Sequence, residues 1–168
     1  MIPGQRVLVA ASLVALFCAR SAAPKELEID KAAPDFEVTT VDGEKLKLAD
    51  FKFQVLVINF WATWCEPCKK ELPMLDAYYR EHQYSGLRIL AVTTEDSLPI
   101  IKLKPLAAVL AIPMARRFTG DYGPMKGVPT TYIIDRHGIL RYAEAGALTF
   151  DEMTEILAPL LREDVSAH

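Results

Sequence analysis

Two cysteines are separated by two intervening residues in the stretch NFWATWCEPCKKELP, residues 59–73. A thiolate attacks disulfides, and a second thiol one helical turn away can displace what the first has captured, so Cys65 and Cys68 form a candidate dithiol/disulfide couple. Pro67 has a fixed φ and no N–H, which suits the first turn of a helix. Cys65 is therefore expected at a helix N-terminus, where unpaired N–H groups and the positive end of the helix dipole favour thiolate over thiol. Cys68 lies one turn further in and is expected to be more shielded. The expected roles are attack by Cys65 and resolution by Cys68. Glu71, three residues beyond Cys68, falls on the same helical face and is a candidate proton acceptor; the competing reading is a solvated carboxylate.

Other chemistries use the same spacing. A lone Cys-x-x-Cys also occurs as a structural disulfide or as half of a metal site, but a structural zinc takes four ligands, often from two such pairs. The sequence has no second pair, and His82, His137 and His168 fall in a polar helix, a tight turn and the C-terminus. A copper-binding module would have only His137 to add to the two thiolates.

The elements around the pair must hold it at the edge of a sheet. VLVINF, residues 55–60, is a short apolar run rich in β-branched residues, as a strand buried on both faces should be. Residues 68–84 carry Leu72, Leu75, Tyr78 and Tyr79 at helical spacing, with Gly86 just beyond, and LRILAVT, 87–93, reads as the next strand. Strand, helix and strand make a βαβ unit with parallel strands, an α/β organisation that puts Cys65 at a strand-to-helix junction. Upstream, 36–41 and 44–48 flank Asp42-Gly43 as a hairpin. Downstream, 98–112 reads as a helix around Leu106–Leu110 and 115–122 as a second, shorter one, together a helical insertion. A strand at 131–135, the turn Arg136-His137-Gly138, a strand at 139–143 and an amphipathic helix at 149–161 that Thr149 can cap complete the order.

The chain has 168 residues, 51% of them hydrophobic and 24% charged, which suits one globular domain and makes a disordered or multi-span protein a poor reading. With 19 Lys+Arg against 22 Asp+Glu it has no basic surplus, so generic nucleic-acid binding is not expected. The basic side chains Lys102, Lys104, Arg116, Arg117 and Lys126 of the insertion read first as solvated charge. Residues 7–19 lack charge, follow Arg6 and precede the small residues Ser21-Ala22-Ala23, the pattern of an export signal. At ~1.5 Å per residue such a stretch falls short of a ~30 Å hydrocarbon core unless flanking residues are recruited. The expected organisation is a signal peptide or N-terminal anchor at 1–23, a linker at 24–32, the domain at 33–163 and a tail at 164–168. Cys18 then lies inside the export segment, leaving one pair in the folded domain.

FWATWCEPCKKELP, the Gly127-Val128-Pro129-Thr130 segment, the leading APDF and the IIDRHG hairpin together resemble the extracytoplasmic thioredoxin-like thiol-disulfide oxidoreductases of the TlpA/ResA type, over Ala33 to Leu161. The resemblance implies a thioredoxin-like fold: a central mixed β-sheet flanked by helices, with an N-terminal β-hairpin and the helical insertion. It also implies that Pro129 is a cis-proline facing the dithiol, that Val128 touches the sulfurs, that Trp64 partly covers them, and that an extended client segment pairs with the backbone there. Glu66 and Pro67 complete the expected client-contacting set. The position that holds a buried acid in cytoplasmic thioredoxins is Asn59, read as a hydrogen-bonded core residue. The proton-handling role then moves to Glu71, where the TlpA/ResA type also carries a glutamate. Glu66, beside Cys65, opposes its thiolate and points towards a reducing couple. The motif of a peroxidatic cysteine is absent. No organic cofactor is implied. The implied partners are proteins with client disulfides, such as apocytochrome c or other periplasmic thiol proteins, and a membrane-embedded electron donor. A net oxidant or isomerase would use the same residues.

Overall fold

The computed structural model describes residues 27–163 apart from Met125. The expected export segment at 1–23, the tail at 164–168, Cys18 and His168 lie outside the described residues. Leu27 to Ala33 run beside the turn that ends at Gly138: the Asp30 amide donates to the Leu140 carbonyl, the Leu140 amide to Lys31 and the Ala33 amide to Gly138.

Asp42-Gly43 reverses the chain between β1 (Phe36–Thr40) and β2 (Lys45–Lys47), with Gly43 at φ 93°, where a side chain would strain the backbone. β3 (Val55–Trp61) is buried along its whole length and leads into α1 (Glu66–His82) and then β4 (Leu87–Thr93), which pairs with β3 in parallel. After α2 (Ile100–Ala107) come β5 (Met114–Gly120), β6 (Thr130–Ile134), β7 (Leu140–Ala145) and α3 (Phe150–Arg162). Thr149 caps α3 in a reciprocal box with Glu152. The strands form one sheet in the order β2-β1-β5-β4-β3-β6-β7, a mixed sheet with β3, β4 and β5 parallel.

The insertion corrects the sequence reading. Residues 115–122 are not helical: Met114 and Ala115 pair in parallel with Ala91 and Val92, while 115–120 pair antiparallel with β1. β1 and β4 would otherwise each present an open edge, and one strand laid between them satisfies both ladders. The hairpin is thereby continuous with the central sheet. The helix expected at 98–112 is shorter, ending at Ala107.

Successive β3 residues point to opposite sides. Val55, Val57 and Trp61 join Leu72, Leu75 and Tyr78 of α1, Leu103 of α2, and Met153, Leu157 and Leu160 of α3. Leu56, Ile58 and Phe60 join Phe36, Val92, Tyr122 and Tyr132 on the other face, where, among the described residues, none of α1, α2 and α3 contributes a buried residue. At the pole where β3 starts, Arg136 donates to the carbonyls of Phe53, Ser85, Leu160 and Leu161, tying four segments together.

Candidate functional site

β3 ends at Trp61, and four residues later Cys65 becomes the N-cap of α1, with Glu66 and Pro67 opening the helix. Cys65 and Cys68 are joined by a disulfide with S–S 2.06 Å. The Cys65 sulfur accepts from the Cys68 amide at 3.2 Å, so it occupies the place where an N-cap oxygen would otherwise sit. Its other polar neighbour is the Val128 carbonyl oxygen at 3.5 Å, to which only the reduced thiol has a proton to donate. The Val128–Pro129 peptide bond is cis. Both sulfur-bearing residues are buried, Cys68 more deeply.

Glu71 is 3% exposed, and the solvated alternative does not hold. Its Oε1 accepts from the Leu148 amide at 2.8 Å and its Oε2 from Asn59 Nδ2 at 3.1 Å. Asn59 Nδ2 also donates to Thr131 Oγ1 at 2.9 Å, across the β3–β6 ladder. Burial pushes the Glu71 carboxyl above its ordinary range, against the partly offsetting hydrogen bonds from Leu148 and Asn59. A carboxyl so held keeps its proton to higher pH than a solvated one and is a candidate for proton exchange at the site. A groove of about 370 Å³ lined by Pro67, Glu71, Met74, Ala147 and Leu148 borders it.

Glu66 faces solvent at the first position of α1. Its carboxylate is exposed and pairs with Lys69 Nζ at 2.6 Å, and this hydrogen bond, with the charge of Lys69, pulls its pKa down. The neighbouring cation offsets much of the field that Glu66 exerts on Cys65, and solvent screens the remainder. Trp64 is 57% exposed, its indole N–H donating to Asp96 Oδ2 at 2.9 Å; Asp96 in turn accepts from Thr94 Oγ1. Trp61 is part of the core. Val128 is half-buried against both cores.

His137 sits in the turn after β6, whose last residue, Ile134, pairs with Leu56 near the start of β3. That is the pole opposite Cys65, so His137 cannot complete a copper site with the two sulfurs.

Sequence reasoning missed Leu148, Thr131 and Asp96. Leu148 acts through a backbone amide and carries no side-chain signal. The Asn59–Thr131 pairing needs the β3–β6 register. Asp96, in a loop after the strand parallel to β3, was open to inference from the βαβ unit, which brings both strand ends to one edge.

The AhpC/TSA family matches residues 29–143. The chain belongs to that family. Within its thioredoxin-like fold, relatives include the thiol-disulfide oxidoreductase ResA of Bacillus thuringiensis subsp. konkukian, 33% identical over 136 residues that cover 79% of each chain. The thioredoxin-like protein YneN of Bacillus subtilis is 34% identical over 141 residues, 79% of this chain and 82% of that one. A thiol:disulfide interchange protein of Chlorobium tepidum shares the fold with TM-score 0.66 at 23% identity, over 80% of this chain and 98% of that one. The pneumococcal exposed lipoprotein thioredoxin of Streptococcus pneumoniae superposes with TM-score 0.60 at 25% identity, over 75% and 99%. The chain is accordingly a thiol-disulfide oxidoreductase of thioredoxin-like fold.

Proposed function

We propose that the protein is exported and reduces disulfides in partner proteins. In the dithiol form, the Cys65 thiolate attacks one sulfur of a client disulfide; the client's second sulfur leaves as a thiolate and takes up a proton. Cys68 then gives up its proton, with Glu71 as acceptor, and attacks the Cys65 sulfur. The bond from Cys65 to the client breaks, the client departs with both sulfurs reduced, and Cys65–Cys68 becomes the disulfide. Two electrons have passed to the client.

The observation that carries this reading is the Cys65 sulfur at the head of α1, accepting from the Cys68 amide beside Val128–Pro129. An extended client segment would pair with the backbone at Val128, between Trp64, Glu66, Pro67 and Pro129. The reducing direction is supported by the burial of both sulfurs and, among the described residues, the lack of a cationic side chain bonded to Cys65, which leave the thiolate little help beyond the helix N-terminus. Export is supported by the pattern at 1–23 and by a structural relative named as an exposed lipoprotein. A reductant in an oxidising compartment has to be recharged, so a membrane-embedded electron donor belongs to the proposal, with apocytochrome c or another periplasmic thiol protein as client. Net oxidation or isomerisation is the second reading, favoured by the Glu66–Lys69 pair, which removes one argument for a reducing couple.

The roles of the cysteines are tested by trapping. Cys68→Ala should accumulate mixed disulfides with clients in extracts, and Cys65→Ala almost none. Equal trapping by the two variants contradicts the assignment.

A further inference from the structure

The buried apolar residues of α1, α2 and α3 lie on one face of the sheet. On the other face, at the end where Cys65 sits, a cavity of about 250 Å³ is lined by Phe60, Val92 and Phe118 of the sheet and by Tyr122 and Gly123, with the charged side chains Glu95 and Arg116 also on its lining. Its aromatic walls are fixed by mutual contact: Phe60 and Phe118 meet edge-on at 5.2 Å and Phe118 and Tyr122 at 5.7 Å, while the Tyr122 hydroxyl donates to the Pro34 carbonyl. Phe118 remains half-exposed. Phe60 pairs across the ladder with Thr130, the residue after Pro129, and Gly123 belongs to the connection between β5 and β6, which also holds Val128. The cavity thus lies at the same end of the sheet as Val128–Pro129, with Phe60 as the residue common to its lining and to the ladder that Pro129 leads into.

We propose that this cavity receives a large apolar side chain of the client, aromatic by preference, a few residues from its reacting cysteine, and that Phe118 and Tyr122 set this specificity. The inference rests on the disulfide-exchange reading above. Alternate residues of an extended segment point to the same side, so a client paired with the backbone at Val128 can present its cysteine to Cys65 and a neighbouring side chain to the cavity. Ring edges lining the pocket reward an aromatic occupant beyond its apolar area.

The test uses peptides carrying one cysteine as a mixed disulfide with glutathione, with Phe or Ala placed in turn at each of three positions on either side. The small 2-hydroxyethyl disulfide, which has nothing to put in the cavity, is the control. A Cβ on Gly123 would meet nothing within 4 Å, and its φ is outside the left-handed region, so Gly123→Leu can fill the cavity mouth without strain; Phe118→Leu keeps apolar volume and removes the ring. The pre-reduced wild-type protein should favour Phe at one position by about tenfold in kcat/KM, the scale that filling an apolar pocket gives. Both variants should cut that preference to about twofold while reducing the control at the wild-type rate. Absence of any Phe preference in the wild type, or an unchanged preference in both variants, overturns the proposal. Failure of the wild type on the control as well overturns the exchange reading itself.

Discussion

Glu71 combines two opposed influences: burial disfavours its charge, while both its hydrogen-bond partners, Leu148 N–H and Asn59 Nδ2, donate to it and favour the carboxylate. Burial is the larger influence and the pKa is raised. General-base assistance contributes ~10² to 10⁴-fold, so Glu71→Gln should still form the mixed disulfide but resolve it at least about tenfold more slowly near neutral pH. Single-turnover kinetics separate the two steps, and an unchanged decay would return Glu71 to a structural role. The same shift predicts a stability effect. With its folded pKa above the ordinary 4.5, the native protein keeps the Glu71 proton after the unfolded chain has released it, so stability falls as pH rises from about 4.5 through the folded value. Denaturant titrations across that window should show the wild type losing stability relative to Glu71→Gln; parallel curves would contradict the raised pKa. The cysteine pair and Pro67 were legible because their signal is local spacing. The environment of Glu71 was not, since Asn59 is 12 residues away and Leu148 is 77 away in sequence.

At the scale of elements, the same distinction separates success from error. The strand at 87–93 and the capped helix after Thr149 follow from period and capping chemistry within one short window. β5 does not: Ala-Arg-Arg is a good helical start, and only the edges of β1 and β4, some 80 and 20 residues away, make it a strand. Asp76 shows how α1 is locked to the chain that precedes β5. Its Oδ1 accepts from the amides of Ala111 and Ile112, and its Oδ2 pairs with Arg80 Nε at 2.8 Å. Asp76→Ala leaves both amides without that partner, and each unpaired buried group costs about 1–3 kcal/mol. The expected loss in stability is about 2–4 kcal/mol by denaturant unfolding, with Asp76→Asn keeping one acceptor and losing less. An alanine variant within about 0.5 kcal/mol of wild type would show that water replaces the carboxylate.

For the whole molecule, the sheet separates two tasks. Its helix-covered face positions Cys65, Cys68 and Glu71, and its other face brings Phe60, Phe118 and Tyr122 to the same edge. The opposite pole is tied by Arg136 and meets residues 30–33, so the edge that carries Cys65 lies at the other end of the sheet from that segment. The central claim is that this edge donates electrons to client disulfides. Equilibration of the full folded protein with graded glutathione buffers, reading the Cys65–Cys68 disulfide by mass shift after thiol alkylation, measures the potential of the couple. Burial of both cysteines and, among the described residues, the lack of a cation bonded to Cys65 predict a value near the reducing end, about −270 mV; a value near the oxidising end, about −120 mV, would contradict the account and make the protein a net oxidant.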